Sequence, residues 1–195
     1  DVPFVELLET VVVDEDNSIE IDIAAQVKDI DGDKLRLEEA FGAEHGSVEI
    51  KDGKALYTPD ANYYGEDKIS FAVDDGYGGR VSDELSINVN SVNDNPTASL
   101  ENALLNEDTS ILLDVLADAN DVEGDTVVIE SETQGSNGVV TIEEGQVKYA
   151  PNADYNGEDS FTYTLSDING GLVTKTVAVN VDPANDNPVT VISEG

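Results

Sequence analysis

Apolar and polar residues alternate in short stretches along most of the chain. Ser18-Ile19-Glu20-Ile21-Asp22-Ile23, Lys68-Ile69-Ser70-Phe71-Ala72-Val73 and Leu85-Ser86-Ile87-Asn88-Val89 each carry an apolar side chain at every second position. That is the period of a strand with one face buried. Ser160 to Leu165 and Val177 to Val181 read the same way, and Leu7 to Val13, Leu35 to Glu39, Ser47 to Ile50 and Ala55 to Tyr57 are shorter candidates. Turn formers separate them at Lys51-Asp52-Gly53, Tyr64-Gly65-Glu66, Asp75-Gly76-Tyr77-Gly78-Gly79 and Asn169-Gly170-Gly171. No stretch carries the helical period. The pattern predicts an all-β chain.

A repeat organises these strands. Shifted by 92 residues, Glu15 to Pro96 lies on Glu107 to Pro188 without a gap. Asp29-Ile30-Asp31-Gly32-Asp33 then meets Asp121-Val122-Glu123-Gly124-Asp125, and Asn93-Asp94-Asn95-Pro96 meets Asn185-Asp186-Asn187-Pro188. Tyr57, Pro59, Ala61, Tyr63, Gly65, Glu66 and Asp67 meet Tyr149, Pro151, Ala153, Tyr155, Gly157, Glu158 and Asp159. A period of this length suits a small domain that folds by itself, not a solenoid unit. About seven short strands per repeat predict two tandem immunoglobulin-like, Greek-key β-sandwiches. The expected modules are 1–95 and 96–187, with 188–195 as a linker and the start of a third.

Composition narrows the function classes. Apolar residues make up 39% and aromatics 6%, with no Trp, so modest cores of Val, Ile, Leu, Tyr and Phe are expected. No apolar run reaches the length that crosses a bilayer, so no membrane insertion is expected. Asp1 to Glu6 carry neither a basic start nor an apolar stretch, so no signal peptide is expected there, as in a segment of a longer chain. With 43 acidic against 9 basic residues the formal charge is -34, which repels nucleic acid and anionic membranes. There is no Cys, which removes disulfides and leaves a metal ion as the obvious staple for small domains. His45 is the sole imidazole and its counterpart is Asn137, so no repeated acid–base role exists and no enzyme is expected.

Recurring carboxylates carry the chemistry instead. Asp29-x-Asp31-Gly32-Asp33 puts acidic side chains two apart on a tight loop, where two can face one ion while Gly32 permits the turn. Calcium takes six to eight oxygen ligands of this kind. The loop is not an EF-hand, because its Gly comes fourth and a strand follows.

In order and spacing, these elements resemble the cadherin repeat, in the form found in cadherin-like modules of large bacterial (RTX-type) surface adhesins. The resemblance covers nearly all of both repeats, and the Tyr57-x-Pro59-x-Ala61-x-Tyr63-x-Gly65-x-Asp67 run places it nearer the bacterial branch. It implies Ca2+ at the junction between modules, held by Glu15, Glu66 and Asp67 of the first, the linker Asn93, Asp94 and Asn95, and Asp121, Glu123 and Asp167 of the second. One module on, the same set would be Glu107, Glu158, Asp159, Asn185, Asp186 and Asn187. At the start of the chain it would include Asp29, Asp31 and Asp75. The sequence departs from the family pattern in having Glu66-Asp67 and Glu158-Asp159 for Asp-Arg-Glu, and Glu123 for an Asp. Seven acidic side chains at such a junction, with like charges near 4 Å, cost about 1–4 kcal/mol per pair until cations balance them.

The resemblance further implies an extracellular protein, on the cell surface or secreted, used in attachment or biofilm. The expected role is a calcium-stiffened extender whose partners are neighbouring modules of the same chain. The alternative is a module that binds polysaccharide or another copy of the adhesin. Tyr64 and Tyr77, which become Asn156 and Asn169, are the candidates for exposed contacts, and their failure to repeat favours the extender.

Overall fold

The computed structural model describes residues 1–185; Asp186 and Asn187 of the expected calcium set, and the expected third-module start, lie outside them. The chain divides into two compact units, Asp1–Val92 and Asn93–Gly195. Asn93 to Asn95, assigned above to the end of the first module, are hydrogen-bonded within the second: Asn93 donates to Asp167, the Asp94 N–H to Glu123, and Asn95 accepts from the Leu172 N–H.

The first unit runs β1 (Phe4–Val5), β2 (Val11–Asp14), β3 (Ile19–Ile21), β4 (Val27–Lys28), β5 (Arg36–Phe41), β6 (Gly46–Lys51), β7 (Lys54–Pro59), β8 (Gly65–Asp74) and β9 (Arg80–Asn90). A four-stranded sheet has the order β2-β9-β8-β5, a three-stranded sheet β3-β7-β6, and β1 pairs with β4. The second unit runs β10 (Asn102–Asn106), β11 (Ile111–Leu113), β12 (Val128–Glu132), β13 (Gly138–Glu143), β14 (Gln146–Pro151), β15 (Gly157–Ser166) and β16 (Leu172–Asp182). Its sheets, β10-β16-β15-β12 and β11-β14-β13, repeat the first unit's order. Each unit is thus an immunoglobulin-like sandwich. In both, the opening strand of the larger sheet runs parallel to the last: Val11 to Asp14 beside Ile87 to Asn90, and Asn102 to Asn106 beside Ala178 to Asp182.

The alternation that predicts the strands also builds the cores. On β9, Leu85, Ile87 and Val89 are buried; on β16, Val177, Val179 and Val181 are. They close on Tyr57, Ile69, Phe71 and Val73 in the first unit and on Tyr149, Phe161, Tyr163 and Leu165 in the second. Each such aliphatic side chain contributes about 1.5–3 kcal/mol when fully buried.

Four strands show the clearest differences from expectation. Leu7 is 77% exposed and the strand begins only at Val11. The Ser18 to Ile23 strand is confined to Ile19–Ile21, because the chain then winds into a 3-10 turn, Ala24–Gln26, which Asp22 supports by accepting from the Ala25 N–H. β8 and β15 are longer than the alternation suggested, at ten residues each, and so carry Glu66-Asp67 and Glu158-Asp159 inside strands.

Candidate metal centre

In the first unit, Asp29 and Asp33 flank the Gly32 turn and Asp75 directly follows β8. One carboxylate oxygen from each lies within 4.8 Å of the others. Local hydrogen bonds aim these groups. Asp29 Oδ1 accepts from the N–H groups of Asp31 (2.9 Å) and Asp33 (3.2 Å), while its other oxygen, Oδ2, is buried with no partner. Asp75 Oδ1 accepts from the N–H groups of Tyr77 (2.7 Å) and Gly79 (2.9 Å). The Tyr77 bond, set against burial, holds the Asp75 carboxyl below the ordinary range. Asp31, the expected second ligand, is exposed and lies outside this cluster. Asp33 takes its place in the cluster.

The second unit builds the same loop. Asp121 Oδ1 accepts from the N–H groups of Glu123 and Asp125, both at 3.1 Å, and its Oδ2 is buried and unpartnered. Asp167, completely buried, accepts from the Asn169, Gly170 and Gly171 N–H groups and, at 2.7 Å, from the Asn93 side chain. Burial works against ionisation of Asp167, but Asn93 and the three amides outweigh it, and its carboxyl sits low. Asp94 Oδ2 and Glu123 Oε1 are also buried without partners. Ile168, a β-branched residue at φ 66, is held in the left-handed region beside this loop, the kind of local strain that collects at functional sites.

Two glycines that sequence reasoning missed make these loops possible. A Cβ at Gly79 would fall 2.1 Å from Asp75 Oδ2, and one at Gly171 would fall 2.1 Å from Asp167 Oδ2. The only sequence signal was their place at the end of each Gly-rich turn.

Glu15, 1% exposed, accepts from the Val92 N–H through Oε1 at 2.6 Å, and its Oε2 is buried and unpartnered. Its counterpart Glu107 accepts from the Ala184 N–H at 2.6 Å and from the Asn156 amide at 3.1 Å. Glu66 and Glu158 are exposed. Asn185 is among the described residues and has a partner of its own.

Asp67 and Asp159 do something else. Asp67 accepts four hydrogen bonds, from the Tyr57 hydroxyl (2.7 Å) and from the N–H groups of Glu44, His45 and Lys68. Asp159 accepts four from the Tyr149 hydroxyl (2.7 Å), Ser136, Asn137 and Ser160. These carboxylates latch the loop before β6 or β13 onto β8 or β15 and have no lone pairs to spare. Burial raises the Tyr57 and Tyr149 hydroxyls, reinforced by the hydrogen bond to the carboxylate. Burial likewise opposes charge on Asp67 and Asp159, but the accepted hydrogen bonds win and both carboxyls lie below the ordinary range. A depressed folded-state value stabilises the fold above the unfolded value, about pH 3.9, and the contribution is lost as pH falls through the folded value. Urea midpoints in chelator are therefore expected to decline below about pH 4, and the double variant Asp67→Asn, Asp159→Asn should show a shallower decline there. Equal declines would place the acid sensitivity elsewhere.

The unpartnered oxygens are the test of fit for a cation. A buried carboxylate oxygen without a donor costs about 1–3 kcal/mol or more. No ion pair among the described residues involves Glu15, Asp29, Asp94, Asp121 or Glu123. Hard oxygen donors, acidic and without hydrogen-bond partners, suit calcium.

A family model described as "Bacterial Ig domain" matches residues 1–88 and again residues 93–180. The chain belongs to the bacterial Ig domain family. Among solved structures, this bacterial Ig pair is similar to human CDH23 EC21-23, with 18% identity and a TM-score of 0.50 over 91% of this chain and 67% of that one. Human mucin-like protocadherin EC1-2 matches with 15% identity and a TM-score of 0.45, covering 93% of this chain and 98% of that one. An endo-fucoidan hydrolase, MfFcnA4, matches with 20% identity and a TM-score of 0.38; the bacterial Ig pair spans only 29% of its length. At these identities the likeness is one of fold. No curated protein matches the chain. No helix among the described residues is long and apolar enough to cross a membrane.

Proposed function

We propose that these two bacterial Ig units are non-enzymatic, calcium-binding extender modules of a large extracellular adhesin of the RTX type. In this reading the ions are shared at the module junction, by Glu15 and Glu66 from one side and by Asp94, Asp121, Glu123 and Asp167 from the other. The observation that carries it is the set of buried carboxylate oxygens without partners: Glu15 Oε2, Asp29 Oδ2, Asp94 Oδ2, Asp121 Oδ2 and Glu123 Oε1. A protein stable on its own satisfies such atoms. Within the first unit Glu15 grips Val92, its last residue, and within the second Asp167 grips Asn93, its first.

Bound calcium would supply positive charge and hold six to eight oxygens at 2.3–2.6 Å. The protein's part is to aim the oxygens: the backbone amides behind Asp121 fix its Oδ1 and present Oδ2, while Asp167, which accepts on both oxygens, holds Asn93 and the turn that follows it. Ions ligated from both units restrict their rotation about the linker, which is what an extender requires. Calorimetric titration of the chelated two-unit chain with calcium chloride is expected to show saturable, stoichiometric binding. Small-angle scattering should show a narrower spread of maximum dimension once the ions are bound. Absence of saturable heat would remove the metal assignment, and calcium binding with unchanged scattering would remove the extender role.

A further inference from the structure

The two units are alike in sequence around their carboxylates but differ at two positions, where the first has tyrosine and the second asparagine: Tyr64 against Asn156, and Tyr77 against Asn169. Both asparagines reach a carboxylate. The Asn156 amide donates to Glu107 Oε2 at 3.1 Å, and the Asn169 amide donates to Asp125 Oδ2 at 2.6 Å. In the first unit the aligned Tyr64 and Tyr77 are 46% and 83% exposed. There Glu15 keeps a buried, unpartnered oxygen, and Asp33 stands with Asp29 and Asp75 in an acidic cluster.

We infer that Asn156 and Asn169 are built-in substitutes for a cation, so that the tyrosine–asparagine choice at these two positions sets how tightly the carboxylate beside it takes calcium. The inference rests on the calcium reading above. An amide N–H₂ offers donors to the same carboxylate oxygen that a cation would take, and a hydrogen bond to a charged group is among the stronger ones in proteins. A cation arriving at Glu107 or Asp125 has to displace that amide first. At Glu15 it meets an oxygen with nothing to release. The carboxylates that an asparagine caps, Glu107 and Asp125, are therefore held without calcium and respond less to it, while Glu15 and Asp33 are looser when calcium is scarce and bind it more tightly. A chain of such modules carries carboxylates of graded calcium sensitivity, tuned by residues that need not be ligands.

The test exchanges residues in both directions within the two-unit chain. Tyr64→Asn is expected to weaken calcium binding about tenfold in calorimetric titration, and to raise the melting temperature in chelator by giving Glu15 Oε2 a donor. Asn169→Tyr is expected to do the reverse, tightening calcium about tenfold and lowering the chelator melting temperature. Opposite shifts from the two variants, in both measurements, support the inference. If the parent chain binds calcium but neither exchange alters its affinity, the substitution idea is overturned and the metal assignment survives. A parent chain that binds no calcium overturns the assignment itself. The chelator arm then still reports, through the sign of the two melting shifts, whether the amides pair with these carboxylates.

Discussion

Asp159→Ala is expected to cost the second unit roughly 3–5 kcal/mol, and Asp67→Ala the same in the first. The carboxylate is the acceptor for four donors at once, and alanine leaves the buried Tyr149 hydroxyl and the amides of Ser136, Asn137 and Ser160 to find others. Water can reach some of these, because Ser136 and Asp159 are not fully enclosed, and this caps the loss below the sum of four unsatisfied donors. Against the 5–15 kcal/mol that holds a typical domain together, the change is large. Guanidinium unfolding measures it directly. Tyr149→Phe alone should cost about 1–2 kcal/mol, and in the double variant the two losses should fall short of adding, because both remove one bond. Alanine variants within about 0.5 kcal/mol of the parent would mean that these carboxylates are free, and would return them to the pool of metal ligands.

Calcium at a hundredfold excess over its Kd is expected to stabilise the folded chain by about 2.7 kcal/mol per site, from RT ln(1 + [L]/Kd). Thermal melts in calcium and in chelator at matched ionic strength give the difference. Asp121→Ala should remove most of it, because Asp121 Oδ2 is buried, unpartnered and backed by two amides on the other oxygen. Asp60→Ala and Glu143→Ala should leave it intact: Asp60 is an exposed turn residue, and Glu143 already pairs with Lys148. Equal losses from all three would describe a diffuse counter-ion cloud around a very acidic surface.

Much of the fold was legible because burial on one face of a strand leaves a period of two. Leu85, Ile87 and Val89 could be placed in a core before any packing was known, and the 92-residue shift carried the same conclusion to Val177, Val179 and Val181. Asp29, Asp75, Asp121, Glu123 and Asp167 were legible as loop carboxylates because each recurs beside a turn. What could not be read was direction. In Asp29-x-Asp31-Gly32-Asp33 the three acids look alike, and only the left-handed turn at Gly32, φ 78, decides that Asp33 and not Asp31 joins Asp75. Asp67 next to Glu66 reads as one acidic pair. In the strand the two side chains face opposite ways, so Asp67 enters the sandwich to meet Tyr57 while Glu66 stays in water.

The parallel pairing that opens and closes each larger sheet governs how a unit bears a pull along the chain. Tension draws β2 toward its own beginning and β9 toward its own end. Because these strands run in the same direction, the force slides one past the other rather than peeling them apart. Every hydrogen bond between Val11–Asp14 and Ile87–Asn90 is then loaded together, as is every bond between Asn102–Asn106 and Ala178–Asp182. A hairpin pulled at its open end breaks one rung at a time; these ladders must yield all rungs at once. Resistance to stretching therefore resides in β2 and β10, two short strands. A proline placed in the middle of either would lower the force a unit withstands by more than its effect on equilibrium stability suggests.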